Sequence, residues 1–295
     1  MYVSTKLIRS QIAFFKTFIN ECSIETARSG QDALGALMSK THLKNVVCEE
    51  KEFTDFKAEM ILPKKKKMNG VILYLHGGGY VSGNIDYAKA FGVILSAKNG
   101  ISTFCVAYRL APENKFPAAL EDALCAFIYL RKKGYEAKDI ILCGESAGGG
   151  LIYALTLKLK QMGEDLPGGI IAISPWTDMT FSGASYEYND SVDPSMTKKR
   201  LSFYADSYTE DKKNPFVSPL FADVNGFPPS LIFVGGDEIM LDDSRLMHEK
   251  LLASGCKSEL TITPRMWHGY ILYGVKETKN DHDKILRFIE EIING

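Results

Sequence analysis

A serine flanked by glycines, Gly144-Glu145-Ser146-Ala147-Gly148-Gly149-Gly150, stands between an apolar run, Ile140 to Cys143, and a stretch of helical spacing that begins near Ala147. At a strand-to-helix turn of this kind the strained backbone lifts the hydroxyl clear of the sheet, and glycines two residues to either side let strand and helix approach closely. The chemistry on offer is nucleophilic attack by Ser146 on a carbonyl. The N–H groups and positive dipole end of the following helix would face the charge that develops on the attacked oxygen. A phosphate cradle is the other use of such a turn, but no Lys-Ser or Lys-Thr follows the glycines. A G-x-S-x-G match is weak by itself, so a base, an acid and further oxyanion donors must be sought elsewhere in the chain.

His76-Gly77-Gly78-Gly79-Tyr80 follows the apolar run Val71 to Leu75. Consecutive glycines leave backbone N–H groups open to a ligand, so two donors from this loop with the Ala147 N–H would make a three-donor oxyanion hole. His76, before the glycines, suits a structural side chain that pins the loop by hydrogen bonding better than it suits a base. After the run Ser230 to Val234 comes Gly235-Gly236-Asp237-Glu238, and after Glu259 to Thr263 comes Met266-Trp267-His268-Gly269-Tyr270. Both lie beyond the C-terminal ends of expected strands, where open α/β sheets bind their ligands. His268 is therefore the expected base and Asp237 the expected acid, with Glu238 as the alternative. Asp242 and Asp243 fit the first turn of the next helix, where acidic residues complement the dipole.

The elements that must carry these residues alternate. Val71 to Leu75, Ser102 to Tyr108, Ile140 to Cys143, Gly169 to Ser174, Ser230 to Val234 and Glu259 to Thr263 read as continuous apolar strands, as a parallel sheet covered on both faces requires. Helical patterns fall at Tyr87 to Lys98, Pro117 to Lys133, Ala147 to Met162, Asp242 to Ala253 and Asp281 to Ile293. Residues 45 to 62 suggest an antiparallel hairpin at the sheet edge. The fold class is α/β, a mostly parallel sheet with helices on both faces. Two segments stand outside the alternation. Residues 1 to 40 are helical, with Ile8, Ile12, Phe15 and Ile19 on one face and Phe14 and Phe18 broadening it. Residues 180 to 213 are polar and aromatic, with a helix expected from about Ser195 to Tyr208.

Composition narrows the class further. With 35 Lys and Arg against 36 Asp and Glu, the chain lacks the basic surplus that phosphate neutralisation needs, so no nucleic-acid partner is expected. The run Lys64 to Lys67 reads as a solvated turn. No stretch is apolar enough for a membrane span and no signal peptide is apparent. The six cysteines show no C-x-x-C spacing, which favours a reduced, cytoplasmic setting without a zinc or redox site.

Taken together, the motifs resemble the hormone-sensitive-lipase-like bacterial esterases, an α/β-hydrolase family. The matching stretches are His76 to Tyr80, Tyr108-Arg109-Leu110-Ala111-Pro112-Glu113, Phe116-Pro117-Ala118-Ala119-Leu120-Glu121-Asp122, the Ser146 turn, Ser174-Pro175-Trp176-Thr177-Asp178, Asp237-Glu238 and His268. The chain order Ser146, Asp237, His268 is that of this fold. The resemblance implies an eight-stranded sheet in a single domain over residues 1–295. It also implies a helical cap from about residues 1–40 and 180–213 lying over the site. It further implies carboxylic ester hydrolysis with no metal or cofactor on a small ester of short acyl chain, with Gly78, Gly79 and Ala147 as the oxyanion donors, and the near-zero net charge suits a neutral ester. Tyr80, Glu145, Trp176, Phe181, Tyr204 and Trp267 become candidate substrate-binding residues, and Phe14, Phe15, Phe203 and Tyr208 candidate covers of an acyl pocket. Glu145 stands where many relatives carry Asp or Thr, and Glu238-Ile239-Met240-Leu241 replaces their usual Pro-Leu-Arg form. Lactone hydrolysis, deacetylation of sugars and amide hydrolysis would use the same triad. A non-catalytic receptor on this fold would lack the histidine that is present here. A homodimer is left open.

Overall fold

The computed structural model describes residues 4–40 and 42–295, so the first three residues of the expected N-terminal helical segment lie outside the described residues. That segment is two helices, α1 (Thr5–Glu21) and α2 (Ile24–Ser39). They part at Cys22 and Ser23, both extended, and the Ser23 hydroxyl caps α2 by accepting the Thr26 N–H.

The expected edge hairpin follows as β1 (Val46–Glu52) and β2 (Lys57–Pro63), paired antiparallel with Val46 opposite Pro63. The alternation then runs β3 (Val71–Leu75), α3 (Ile85–Asn99), β4 (Ser102–Ala107), α4 (Ala118–Lys132), β5 (Ile140–Glu145), α5 (Ala147–Met162) and β6 (Gly169–Ile173). After β6 come the four-residue helix α6 (Ser185–Tyr188) and α7 (Lys198–Tyr208). The chain closes with β7 (Ser230–Gly235), α8 (Leu241–Ala253), β8 (Ser258–Thr263) and α9 (Lys279–Asn294). Helix α7 starts later than the spacing predicts because Thr197 is its N-cap, accepting the Arg200 N–H. The short helix α6 is not signalled by any periodicity.

The eight strands form one sheet in the order β1-β2-β4-β3-β5-β6-β7-β8. Strand β2 pairs antiparallel on both sides, and β4 through β8 are parallel neighbours. Side chains alternate between two cores. Val71, Leu73, Leu75, Ile140 and Leu142 pack with α4 and α5 on one face. Ile72, Tyr74, Ile141 and Cys143 pack with α3 and α9 on the other. Burial on both faces explains why these strands read as unbroken apolar runs.

The strand order reverses about β3, whose immediate neighbours are β4 and β5. Loops leaving β3 and β5 in opposite directions open a crevice at their C-terminal ends, and the glycine loop and Ser146 are the residues that leave there. Among the described residues no helix is long and apolar enough to cross a membrane.

Candidate active site

Ser146 sits between β5 and α5 at φ 55° and ψ −121°, a region that L side chains rarely occupy. The surrounding backbone holds it there. Its N–H donates to Ile173 O (2.9 Å), and its carbonyl accepts from Gly150 N (3.1 Å) and Trp176 N (2.9 Å). A Cβ at Gly148 would lie 2.0 Å from the Leu75 carbonyl oxygen, and one at Gly144 would lie 2.4 Å from that of Gly148. The glycines are thus required by the close passage of α5 over the ends of β3 and β5. Ala147 opens α5, where N–H groups have no carbonyl a turn earlier to bond.

The loop after β3 is tied back from the site. Val81 N and Ser82 N donate to Gly78 O (3.1 and 3.0 Å). Gln31 of α2 donates to Gly77 O (3.5 Å) and accepts from the Ser82 hydroxyl. Gly78 (φ 113°) and Gly79 (φ 63°) both line the cavity, and a Cβ on Gly79 would strike the Tyr204 ring at 2.3 Å. His76 has the structural place expected of it. Its ring stacks on Tyr108 at 4.3 Å between centroids, its Nδ1–H donates to Gly77 O (2.6 Å), and burial pushes it down to about 4. A group so hard to protonate is a poor shuttle at neutral pH.

Glu145 touches the cavity, but its carboxylate serves the loop. It accepts from Gly77 N (3.0 Å), from the Tyr87 hydroxyl (2.6 Å) and from the Tyr74 hydroxyl. Burial raises this carboxyl above the ordinary range against those hydrogen bonds.

The acid position differs from the sequence reading. His268 Nδ1 donates to Glu238 Oε2 at 2.9 Å. Asp237, assigned above as its partner, instead points its carboxylate at Arg9 of α1 (2.8 Å). The turn explains the exchange. Gly236 N and Asp237 N bond Thr263 O and Met266 O of the β8 side, while Glu238 N turns back to Gly235 O. That reversal folds the longer glutamate over the end of β7, where its Oε1 accepts from Gly235 N and from the Ser174 hydroxyl (2.6 Å). Ser174 Oγ in turn accepts the Gly269 N–H (3.1 Å), so one hydroxyl after β6 joins the carboxylate to the loop that holds His268. Glu238 is fully buried, and the apolar Ile239-Met240-Leu241 that follows it was the available sign of a carboxylate turned inward.

Burial lowers the affinity of His268 for a proton, but the hydrogen bond and charge of Glu238, with the fields of Asp193 and Glu145, outweigh it and leave the imidazole above its usual 6.5. With Nδ1–H committed to the carboxylate, Nε2 is left as the acceptor. His268 and Ser146 line the same cavity, of about 350 Å³. Much of its remaining wall is apolar, from Ile12, Phe18 and Ile19 of α1, Leu34 of α2, Leu201 and Tyr204 of α7, and Leu272, with Thr26, Gln31, Ser82 and Ser195 adding polar groups.

The structure thus divides the expected pocket residues. Tyr204 and Glu145 line the cavity. Tyr80 is buried away from it, stacked on Tyr208 at 3.9 Å. Trp176 and Trp267 are fully buried core residues, the latter packed edge-on to Tyr273, and Phe181 packs on Trp176 and Tyr186. These four are corrections, because each aromatic ring finds its partners inside the core and offers no face to the cavity. Phe14, on the outer side of α1, is 81% exposed, and Phe15 and Phe203 are also exposed and off the cavity. Leu34 and Gln31 line it without having been singled out, and Phe18, expected only to broaden the apolar face of the N-terminal segment, lines it as well.

Residues 72–272 match a family described as having the alpha/beta hydrolase fold. An esterase of Acinetobacter venetianus is 34% identical over 206 residues, covering 69% of this chain and 68% of that protein. An acetyl-hydrolase of Streptomyces hygroscopicus is 33% identical over 73% of each chain. The crystal structure of an esterase from the bacterial hormone-sensitive lipase family superposes with a TM-score of 0.90 at 31% identity, covering 99% of this chain and 100% of that one. A family match over more than half the chain, with the sheet order and the turn at Ser146 already described, leads to one assignment. The chain belongs to the bacterial hormone-sensitive-lipase-like esterases of the alpha/beta hydrolase fold, and it is a carboxylic ester hydrolase.

Proposed function

We propose that the chain is a serine esterase that hydrolyses small, short-acyl carboxylic esters through an acyl-enzyme on Ser146. The observation that carries this reading is the bond from His268 Nδ1 to Glu238, made by a histidine that shares its cavity with the strained serine. His268 Nε2 takes the Ser146 proton as Oγ attacks the carbonyl carbon. The substrate oxygen gains the electron pair of the carbonyl bond and is received by the N–H groups of Gly78, Gly79 and Ala147. The imidazolium that forms is stabilised by Glu238 and passes its proton to the departing alcohol. Water, deprotonated by the same imidazole, then attacks the acyl carbon and Ser146 leaves with the proton.

Helices α1 and α2 and the region between β6 and β7 serve as a cap, since Ile12, Phe18, Ile19, Leu34, Leu201 and Tyr204 form the apolar side of the cavity. A partly open cavity of about 350 Å³ walled by bulky side chains suits a short acyl group, and the acetyl-hydrolase relative points the same way. Across nitrophenyl esters from acetate to dodecanoate, kcat/KM is expected to peak at the short end. Each methylene beyond the cavity wall should gain nothing of the roughly 0.8 kcal/mol that burial of a CH₂ provides. A maximum on dodecanoate or on long-chain triglyceride emulsions would overturn the short-acyl reading.

A further inference from the structure

The peptide unit that follows Glu238 is gripped from both sides by the segment between β6 and β7. The Asn189 amide donates to the Glu238 carbonyl (2.8 Å) and to the Gly236 carbonyl (3.3 Å). Asp193 Oδ2 accepts the Ile239 N–H (2.9 Å). The C=O and N–H of one peptide bond are therefore both taken by cap side chains, and both side chains are buried. Fixing that plane fixes the direction in which the Glu238 side chain leaves the backbone.

The grip is itself held rigid. Asp193 Oδ1 accepts from Ser195 N (2.7 Å), Ser195 Oγ (2.6 Å) and Met196 N (3.2 Å). Helix α1 reaches the same turn from the other side. Lys16 Nζ donates to the carbonyls of Asp190 (2.8 Å) and Asp193 (2.6 Å), and Asn20 donates to Ser195 O (2.9 Å) and accepts from Thr197 N (3.1 Å). The Lys16 and Asn20 bonds join one cap segment to the other, while the Asp193 Oδ1 bonds stiffen the turn from within.

We infer that Asn189 and Asp193 are positioning residues for the catalytic carboxylate. The cap builds the acid limb of the triad as well as covering the substrate, so that a docked cap and a correctly aimed Glu238 are one structural state. The inference rests on the reading of Glu238 as the acid that orients His268. A fully bonded buried carboxylate such as Asp193 stays put, whereas without the grip the Glu238–Ile239 peptide keeps the Leu241 N–H on its carbonyl (3.2 Å) but loses both cap side chains, and the carboxylate is directed by Ser174, the Gly235 N–H and His268. Misplacement of a triad member by a fraction of an ångström costs rate without loss of substrate affinity.

The test is a double-mutant cycle on the full chain with a nitrophenyl ester. Asn189→Ala and Asp193→Asn are each expected to lower kcat by roughly 10- to 100-fold while KM moves by less than about threefold. In a Glu238→Gln background Asn189→Ala should change kcat by less than about twofold, because the group it aims is no longer a carboxylate, whereas Asp193→Asn should keep only the part of its loss that comes from removing a negative charge near His268. Equal losses in both backgrounds would mean general damage to the fold and would overturn the inference. So would unchanged kcat in the Asn189→Ala single variant. If Asp193→Asn proves too unstable to purify, Asn189→Ala carries the cycle alone. Full activity in Glu238→Gln by itself would instead remove the triad reading on which the inference stands, so the two failures are told apart.

Discussion

Ser146→Ala is expected to lower kcat on a short-chain nitrophenyl ester by at least about 10⁴-fold while leaving the fold intact. The size of the effect follows from the place of the hydroxyl in the reaction. In the proposed reaction Ser146 forms the covalent bond that divides hydrolysis into two steps, and Cys22, which lines the same cavity at the junction of α1 and α2, turns its thiol to the Ile19 carbonyl (3.4 Å). Cys143, the nearest thiol in sequence, is buried in the core, and its thiol is pushed well above its ordinary range by desolvation. What activity remains comes from the oxyanion donors and substrate binding alone. Structure should be little affected, because the strained turn is held by backbone bonds from Ser146 to Ile173, Gly150 and Trp176, none of which uses the hydroxyl. Activity within tenfold of the parent in a folded Ser146→Ala protein would contradict the assignment.

Glu238→Gln is expected to lower kcat by about 10³- to 10⁴-fold, and Asp237→Asn to stay within about fivefold of the parent. The contrast separates two adjacent carboxyl groups, of which the chain alone points to Asp237 and the bond to His268 points to Glu238. A glutamine at 238 can donate to His268 Nδ1, which places the proton on Nε2 and leaves no acceptor for the serine. The loss of charge also has a sign in the pH profile. His268 must be neutral to act as base, so kcat/KM of the parent should rise with pH through an apparent pKa above 6.5. Glu238 is what holds that value up against burial, so the acidic limb of the Glu238→Gln variant should move to lower pH. Asp237 pairs with Arg9 at a partly exposed position, where an ion pair contributes about 1 kcal/mol or less. A large loss in Asp237→Asn with none in Glu238→Gln would reverse the assignment.

That exchange also marks how far the sequence could be read. Strand positions were legible because Val71 to Leu75 and Ile140 to Cys143 are buried on both faces and have no room for a polar residue. The strained turn at Ser146 was legible because only glycine fits at 144 and 148, where a Cβ would meet backbone at 2.4 Å or less. The acid was not, because the choice between Asp237 and Glu238 depends on hydrogen bonds from Thr263, Met266 and Gly235, which are set by the packing of β7 against β8. The pocket was legible in part. An aromatic residue in a motif can face the substrate or the core. Tyr80 and Trp176 went to the core because Tyr208 and Phe181 supply rings to pack against them. The links through Ser174, Asn189 and Asp193 carry no sequence signature, since each joins elements far apart in the chain.

The proposed mechanism requires a covalent intermediate at Ser146, and peptide mapping after inactivation with a fluorophosphonate reads that directly. Mass spectrometry of the digested protein should find a single phosphonyl adduct on Ser146, absent when the protein is unfolded before treatment and strongly slowed in Glu238→Gln. An adduct on any other residue, or active enzyme that resists the reagent, would contradict it.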